Sequence, residues 1–227
     1  MNRRAIFVVP AFNESSVILQ TIKGIVEKGF SVLCIDDGSS DETYSFVQDI
    51  EGVIALRHCT NVGQGAALET GFEWVRRNLD LFDYVVTFDA DGQHQVSDAI
   101  KMIDVAIDKQ IDIVLGSRFL IKENASSIPR IKRIVLPLFA KIYARTKSMK
   151  ISDRHNGLRV INTRKLESFK ILSNDFSHAD EILRIIQRNR ISFVEFPVEI
   201  KYTSYSMAKG QPITNGITML IDKLFRL

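Results

Sequence analysis

The chain has 227 residues, 45% of them hydrophobic and 25% charged, with a net charge of +3. That is the chemistry of a globular domain with one full core, and it excludes a disordered or fibrous chain. Two cysteines, Cys34 and Cys59, give neither a disulfide framework nor a zinc site and point to a reducing compartment, and no apolar run approaches the ~18 residues that span a bilayer. In chain order, apolar strand-like runs are expected at Ala5–Val9, Ser31–Ile35, Tyr84–Phe88 and Ile111–Leu115. Helix-period stretches separate or follow them at Glu14–Glu27, Asp41–Ile50, Gly65–Val75 and Val96–Ile107. The alternation predicts an α/β domain with a mostly parallel sheet and helices on both faces. Beyond residue 118 the pattern predicts a basic amphipathic stretch, Arg130–Thr146, interrupted at Pro137. A strand at Leu158–Ile161, a helix at His178–Arg188, a strand at Ser192–Ile200, a polar loop and a final amphipathic helix from about Asn215 follow. No linker-like stretch divides the chain, so one domain is expected, with residues 1–117 as its first half and 118–227 as its second.

In such folds ligands sit at the carboxyl ends of the strands. The polar strings there are Pro10-Ala11-Phe12-Asn13-Glu14, Asp36-Asp37-Gly38-Ser39-Ser40-Asp41, Asp89-Ala90-Asp91-Gly92-Gln93-His94 and Gly116-Ser117-Arg118. Asp89 and Asp91 carry most weight. Two carboxylates two residues apart repel unless a cation or a donor neutralises them. Hard divalent ions such as Mg²⁺ or Mn²⁺ take such oxygens and share them with phosphates, and Gln93 offers a third oxygen. The plain alternative is a polar turn in which an aspartate caps the next helix. Asp37 reads as a ligand group for a base or ribose; Asp36 stays open, and Ser39, Ser40 and Asp41 suit a helix cap. Asn61-Val62-Gly63-Gln64-Gly65-Ala66-Ala67 has the glycines of a phosphate-cradling loop, Gly65 among them, without the full dinucleotide pattern. His94 and His155 read as polar residues lining the site, His58 and His178 as surface or capping residues. Between Arg118 and Lys170 there are 14 basic residues and three acids, an excess that implies an anionic partner or a solvated helix face.

The strings VVPAFNES, CIDDGSSDET, NVGQGAALETG, VVTFDADGQH and VLGSRF, in that order, resemble the family 2 glycosyltransferases of the GT-A fold. The similarity is closest to the polyprenyl-phosphate sugar transferases and extends through SDRHNGLRVI and YTSYSMAKGQ. The resemblance implies that Pro10, Ala11, Asn13, Glu14 and Asp37 hold the nucleoside, with Ala90 beside them. It implies that Asp89, Asp91 and Gln93 hold a divalent metal on the diphosphate of a UDP- or GDP-linked sugar. It further implies that Arg118 and Arg133 bind an acceptor phosphate, that Tyr205 and Lys209 lie in a loop that closes over the site, and that Asp153 is a candidate base. Gln64 departs from the Lys or Arg of many relatives. The expected reaction is inverting sugar transfer to a polyprenyl phosphate or a cell-surface glycan precursor. Transfer to a sugar hydroxyl, a sugar-phosphate nucleotidyltransferase and a non-catalytic binding subunit are the alternatives. Expected partners are the nucleotide sugar, a lipid phosphate, a membrane surface or a small membrane-protein partner, and a second copy in a homodimer, with no nucleic acid. The expected location is cytoplasmic, at the inner face of the membrane, with the Arg130–Lys150 segment and the C-terminal helix as contacts.

Overall fold

The computed structural model describes residues 3–120 and 151–201. Seven strands, β1 (Ala5–Ala11), β2 (Ser31–Asp36), β3 (Val53–Arg57), β4 (Tyr84–Thr87), β5 (Ile113–Ser117), β6 (Arg159–Asn162) and β7 (Phe193–Pro197), form one sheet. Their order is β3-β2-β1-β4-β6-β5-β7. All neighbours are parallel except β6, which runs antiparallel to both β4 and β5. The helices are α1 (Ile18–Val26), α2 (Thr43–Val47), α3 (Gln64–Arg76), α4 (Val96–Asp108) and α5 (His178–Arg188), with a 3₁₀ segment at Thr163–Ser168.

The central strand β1 is buried along its whole length, which is why Ala5-Ile6-Phe7-Val8-Val9 reads as an unbroken apolar run. Its alternate side chains feed two cores. Phe7 and Val9, with Cys34 and Val86, meet Ile18, Ile22, Met102 and Ile103 from α1 and α4. Ile6 and Val8, with Leu33, Ile35 and Val85, meet Leu68, Phe72, Val75, Ile182 and Ile186 from α3 and α5. The spacing of Ile18, Ile22 and Ile25 puts one face of α1 on the sheet. Fully burying a side chain such as Phe7 or Phe72 contributes about 2–3 kcal/mol. Helix α3 lies so close to β1 that a Cβ on Gly71 would come within 2.4 Å of Val8. The buried Cys34 thiol is pushed up to about 12, first by burial and then by the charge of Asp36.

Several boundaries differ from the sequence expectation. Helix α1 starts at Ile18, because residues 14–17 form a turn in which the Glu14 carbonyl accepts from both Val17 and Ile18. Strand β3 was not expected; it is a short edge strand of half-buried residues, with little apolar contrast to announce it. Helix α2 is only five residues, since the Asp41 carboxylate caps the Thr43 amide and starts it late. Strand β5 begins at Ile113, and β7 is confined to Phe193–Pro197. The expected stretch Arg130–Thr146 and the final helix from Asn215 lie outside the described residues. Among the described residues no helix is long and apolar enough to cross a membrane.

From β1 the chain steps to β2 and β3 on one side, while β4 lies on the other. The carboxyl ends of β1 and β4 therefore flank the point where the winding reverses, and that crevice is where such sheets take ligands.

Candidate functional site

At the end of β1, Pro10 and Ala11 are the last strand residues and Asn13 turns the chain in the left-handed region, φ +53°. Asparagine tolerates that conformation, and its side chain is used here. The Asn13 Oδ1 accepts from the Ser40 amide at 2.9 Å, and the Asn13 amide donates to Ser39 Oγ at 2.9 Å. The Glu14 amide donates to Thr43 Oγ1 and the Ser15 amide to Asp41. Burial opposes the Asp41 charge, but the bonds from Thr43 and Ser15 bring its pKa down to about 2. The β1 and β2 loops are thus laced together by side chains from both.

The acidic pair after β2 divides. Asp36 is 1% exposed and pairs with Arg57 Nε of β3 at 3.0 Å, while Arg57 also stacks on Tyr44. Its role is structural. Asp37, equally buried, donates its amide to the Ala11 carbonyl. Its carboxylate accepts from three groups: the Val62 amide at 3.0 Å, the Gly63 amide at 2.7 Å and His58 Nδ1 at 2.7 Å. The far ring nitrogen of His58 meets Thr70 Oγ1 of α3 at 2.9 Å. His58, read from sequence as a surface or capping residue, is a tie between β2 and α3.

Three amides of the phosphate cradle expected at residues 61–67 are engaged within the protein. Those of Val62 and Gly63 go to Asp37, and that of Gly65 goes to the Asn174 carbonyl at 2.8 Å. A Cβ on Gly65 would fall 1.9 Å from the Ser173 carbonyl oxygen, so this glycine serves backbone packing. Gly38 and Gly63, at φ +70° and +112°, supply the turns on either side.

After β4, the half-buried Asp89 is held by two side chains. Its Oδ2 meets His94 Nε2 at 2.9 Å, and its Oδ1 accepts from Gln64 Nε2 at 3.1 Å. A Cβ on Gly157 would lie 2.2 Å from Oδ2, so only glycine fits beneath the carboxylate. Burial raises the Asp89 pKa, but the His94 bond and the charges of His94, Arg159 and His178 prevail and keep it below the ordinary range. Arg159 is 2% exposed; burial lowers its pKa, opposed by Asp89 and Asp153.

Asp91 is the opposite case. Burial, the neighbouring Asp89 charge and Glu14 push it up to about 6, against a backbone bond from the Gln93 amide at 3.0 Å and the charge of His94. The Gln93 contact is the turn geometry of the plain reading, and it leaves the charge of Asp91 largely unanswered. Among the described residues no three His, Cys, Asp or Glu side chains converge to hold a metal unaided. The donor set fits a hard divalent cation that completes its coordination with oxygens of a bound ligand. His94, read as a polar lining residue, holds Asp89, and its buried Nδ1 has no partner among the described residues.

Across the sheet, Asp153 and Arg118 come together, but on each other. Arg118 Nε and Nη2 reach the two Asp153 oxygens at 2.6 Å each, and the Arg118 amide adds a bond at 3.0 Å. Burial raises the Asp153 pKa, yet Arg118 outweighs it and leaves the carboxyl below its usual range. A carboxylate clasped in this way is a poor proton acceptor, so the expectation of Asp153 as a base gives way to an anchor for Arg118. Glu195 of β7 supports this corner by accepting from Ser152 N at 2.9 Å and Ser152 Oγ at 2.8 Å. Arg133, Tyr205 and Lys209 lie outside the described residues. Glu195 is a site neighbour that sequence reasoning did not place, and the ties of His58 to Asp37 and of Gln64 to Asp89 were not foreseen, since each joins residues distant in the chain.

Four likenesses bear on this geometry. Residues 6–169 match the family model described as "Glycosyl transferase family 2". An uncharacterised protein of Methanocaldococcus jannaschii is 32% identical over 100% of this chain and 93% of its own length. The UDP-N-acetylglucosamine–dolichyl-phosphate N-acetylglucosaminyltransferase of Methanococcus voltae is 28% identical over 92% of this chain and 90% of its own. Among solved structures, glucosyl-3-phosphoglycerate synthase of Mycobacterium tuberculosis, in complex with Mn²⁺, UDP and phosphoglyceric acid, superposes with a TM-score of 0.62. That likeness has 14% identity and covers 92% of this chain and 74% of the other. The architecture is the GT-A fold. The chain belongs to glycosyl transferase family 2, which removes the nucleotidyltransferase reading.

Proposed function

We propose that the protein transfers a sugar, with inversion, from a nucleoside-diphosphate sugar to a polyprenyl phosphate, with a divalent cation, Mg²⁺ or Mn²⁺, on the donor diphosphate. The observation that carries this is Asp91. It stands in the β1/β4 crevice with its pKa pushed to about 6 by burial, Asp89 and Glu14, a charge arrangement that a cation relieves. Asp89, Asp91 and Gln93 would hold such a cation, with Asp89 steadied by His94 and Gln64. Such a cation, when bound, neutralises the leaving diphosphate as a Lewis acid. The nucleoside lies along Pro10, Ala11, Asn13, Glu14 and Ala90, on the floor built by the laced β1 and β2 loops.

The acceptor is argued from the Arg118–Asp153 clasp. A sugar hydroxyl must lose a proton, and Asp153 is spent on Arg118. A lipid phosphate is already ionised and needs no base. Arg118 belongs to the basic 118–170 block, which suits such an acceptor. The name of the Methanococcus voltae relative points the same way. Titration calorimetry with UDP and GDP tests the donor half. Binding that needs Mn²⁺ or Mg²⁺ and is abolished by EDTA is expected; equal affinity with and without metal contradicts it.

A further inference from the structure

Asp37 is the residue that the resemblance gives to the nucleoside, yet its carboxylate is turned inward. At 3% side-chain exposure, it accepts from His58 Nδ1, Val62 N and Gly63 N. An ionised carboxylate only accepts, so His58 must carry its proton on Nδ1. Its Nε2 meets the Thr70 hydroxyl at 2.9 Å, and the hydroxyl rotates to suit. The His58 amide in turn donates to the Asp36 carbonyl at 2.9 Å, so the ring springs from β2's own ladder. The turn that Asp37 gathers leads straight into Gln64, whose side chain donates to Asp89. One chain of bonds therefore runs from Thr70 through His58, Asp37, the 62–63 amides and Gln64 to Asp89. It joins the carboxyl end of β2 to that of β4 around the start of α3.

We propose that His58 is a positioning residue for donor binding: by holding Asp37 on the 62–63 turn, it sets the nucleoside floor and, through Gln64, the orientation of Asp89. This rests on the nucleotide-sugar reading of the site. Without the imidazole, Asp37 loses one of three donors and the turn loses its tie to α3. The nucleoside floor then loosens, and the donor binds more weakly before the chemistry changes.

The test compares full-length wild type with His58→Ala, His58→Asn and Thr70→Val. UDP and GDP affinity is measured by calorimetry with Mn²⁺, donor KM and kcat by nucleoside-diphosphate release, and Val62 and Gly63 amide exchange by NMR without ligand. His58→Ala should weaken nucleoside-diphosphate binding and raise donor KM about tenfold, the scale of one charge-assisted hydrogen bond, with kcat within about twofold. Its Val62 and Gly63 amides should exchange faster. His58→Asn, whose amide nitrogen stands near the place of Nδ1, should recover most of the affinity, and Thr70→Val should show a weaker form of the alanine effect. A folded His58→Ala protein with wild-type affinity and KM overturns the proposal even if its melting temperature falls. Wild type that binds no nucleoside diphosphate overturns the donor reading and with it the role in donor binding; unchanged amide exchange in His58→Ala would then overturn the tie to the 62–63 turn as well, and faster exchange would uphold that tie alone.

Discussion

Asp89 and Asp91 are chemically identical and two residues apart, and their surroundings drive them in opposite directions. Asp89 is met by His94 and Gln64 and stays charged; Asp91, facing Asp89 and Glu14, is pushed up to about 6. A carboxyl raised in the fold stabilises it fully only below its unfolded pKa, near 4, and that contribution is lost as pH rises through about 6. Asp91→Asn should therefore raise the melting temperature of metal-free protein at pH 7–8, by about 2–4 °C per kcal/mol recovered, and leave it unchanged near pH 4. The same variant should lose turnover. A lower melting temperature at pH 8 would contradict the charge arrangement described here. Metal-dependent donor binding should also weaken as pH falls through about 6, because the cation competes with a proton for Asp91. For Asp153 the sign reverses. Its pKa is held below the usual range, so its contribution is present above pH 4 and is lost as pH falls further. Asp153→Asn should cost about 3 kcal/mol at pH 7, the scale of a broken buried pair, with the deficit shrinking toward pH 3. A general base would show itself differently, through a lost acid limb in the kcat profile at unchanged stability.

At the scale of elements, the site is made by close approaches that glycine permits. A Cβ on Gly71 would meet Val8 at 2.4 Å, deep in the α3–β1 contact and away from the crevice. Gly71→Ala should destabilise the fold by about 1–3 kcal/mol, measured by chemical denaturation, with donor affinity unchanged. A Cβ on Gly157 would press on the Asp89 carboxylate itself at 2.2 Å. Gly157→Ala should lower kcat/KM for the donor by at least about tenfold, the cost of displacing one positioned charge; wild-type kcat/KM in the folded variant would show that Asp89 does not need its observed place. The sequence made the strand ends legible, because apolar runs such as Ala5–Val9 stop abruptly at polar strings. It made Asp89 and Asp91 legible as a pair through their spacing. Strand β3 was hidden by its half-buried edge position. The ties of Arg57 to Asp36, His58 to Asp37 and Arg118 to Asp153 were hidden for another reason. Each joins residues 21 to 35 positions apart, and no local pattern specifies which acid a given cation will find.

For the whole molecule, the proposed donor site is the crevice between β1 and β4, and the sequence of residues 118–170 is rich in basic residues. A lipid-linked acceptor must be met at a bilayer surface, where basic residues contribute about 1 kcal/mol each near anionic lipid. The protein should therefore float with anionic liposomes at low salt and be released at high salt; sedimentation under every condition would mean that another protein presents the acceptor. Sugar transfer driven from the Asp91 site is tested by incubating the protein with UDP- and GDP-linked sugars, Mn²⁺ and a polyprenyl phosphate, and weighing the lipid product by mass spectrometry. A polyprenyl-phosphate sugar that forms from one donor, and disappears with EDTA or with Asp91→Asn, is the result expected; a product formed equally by wild type and Asp91→Asn, or no sugar-lipid from any donor, would contradict it.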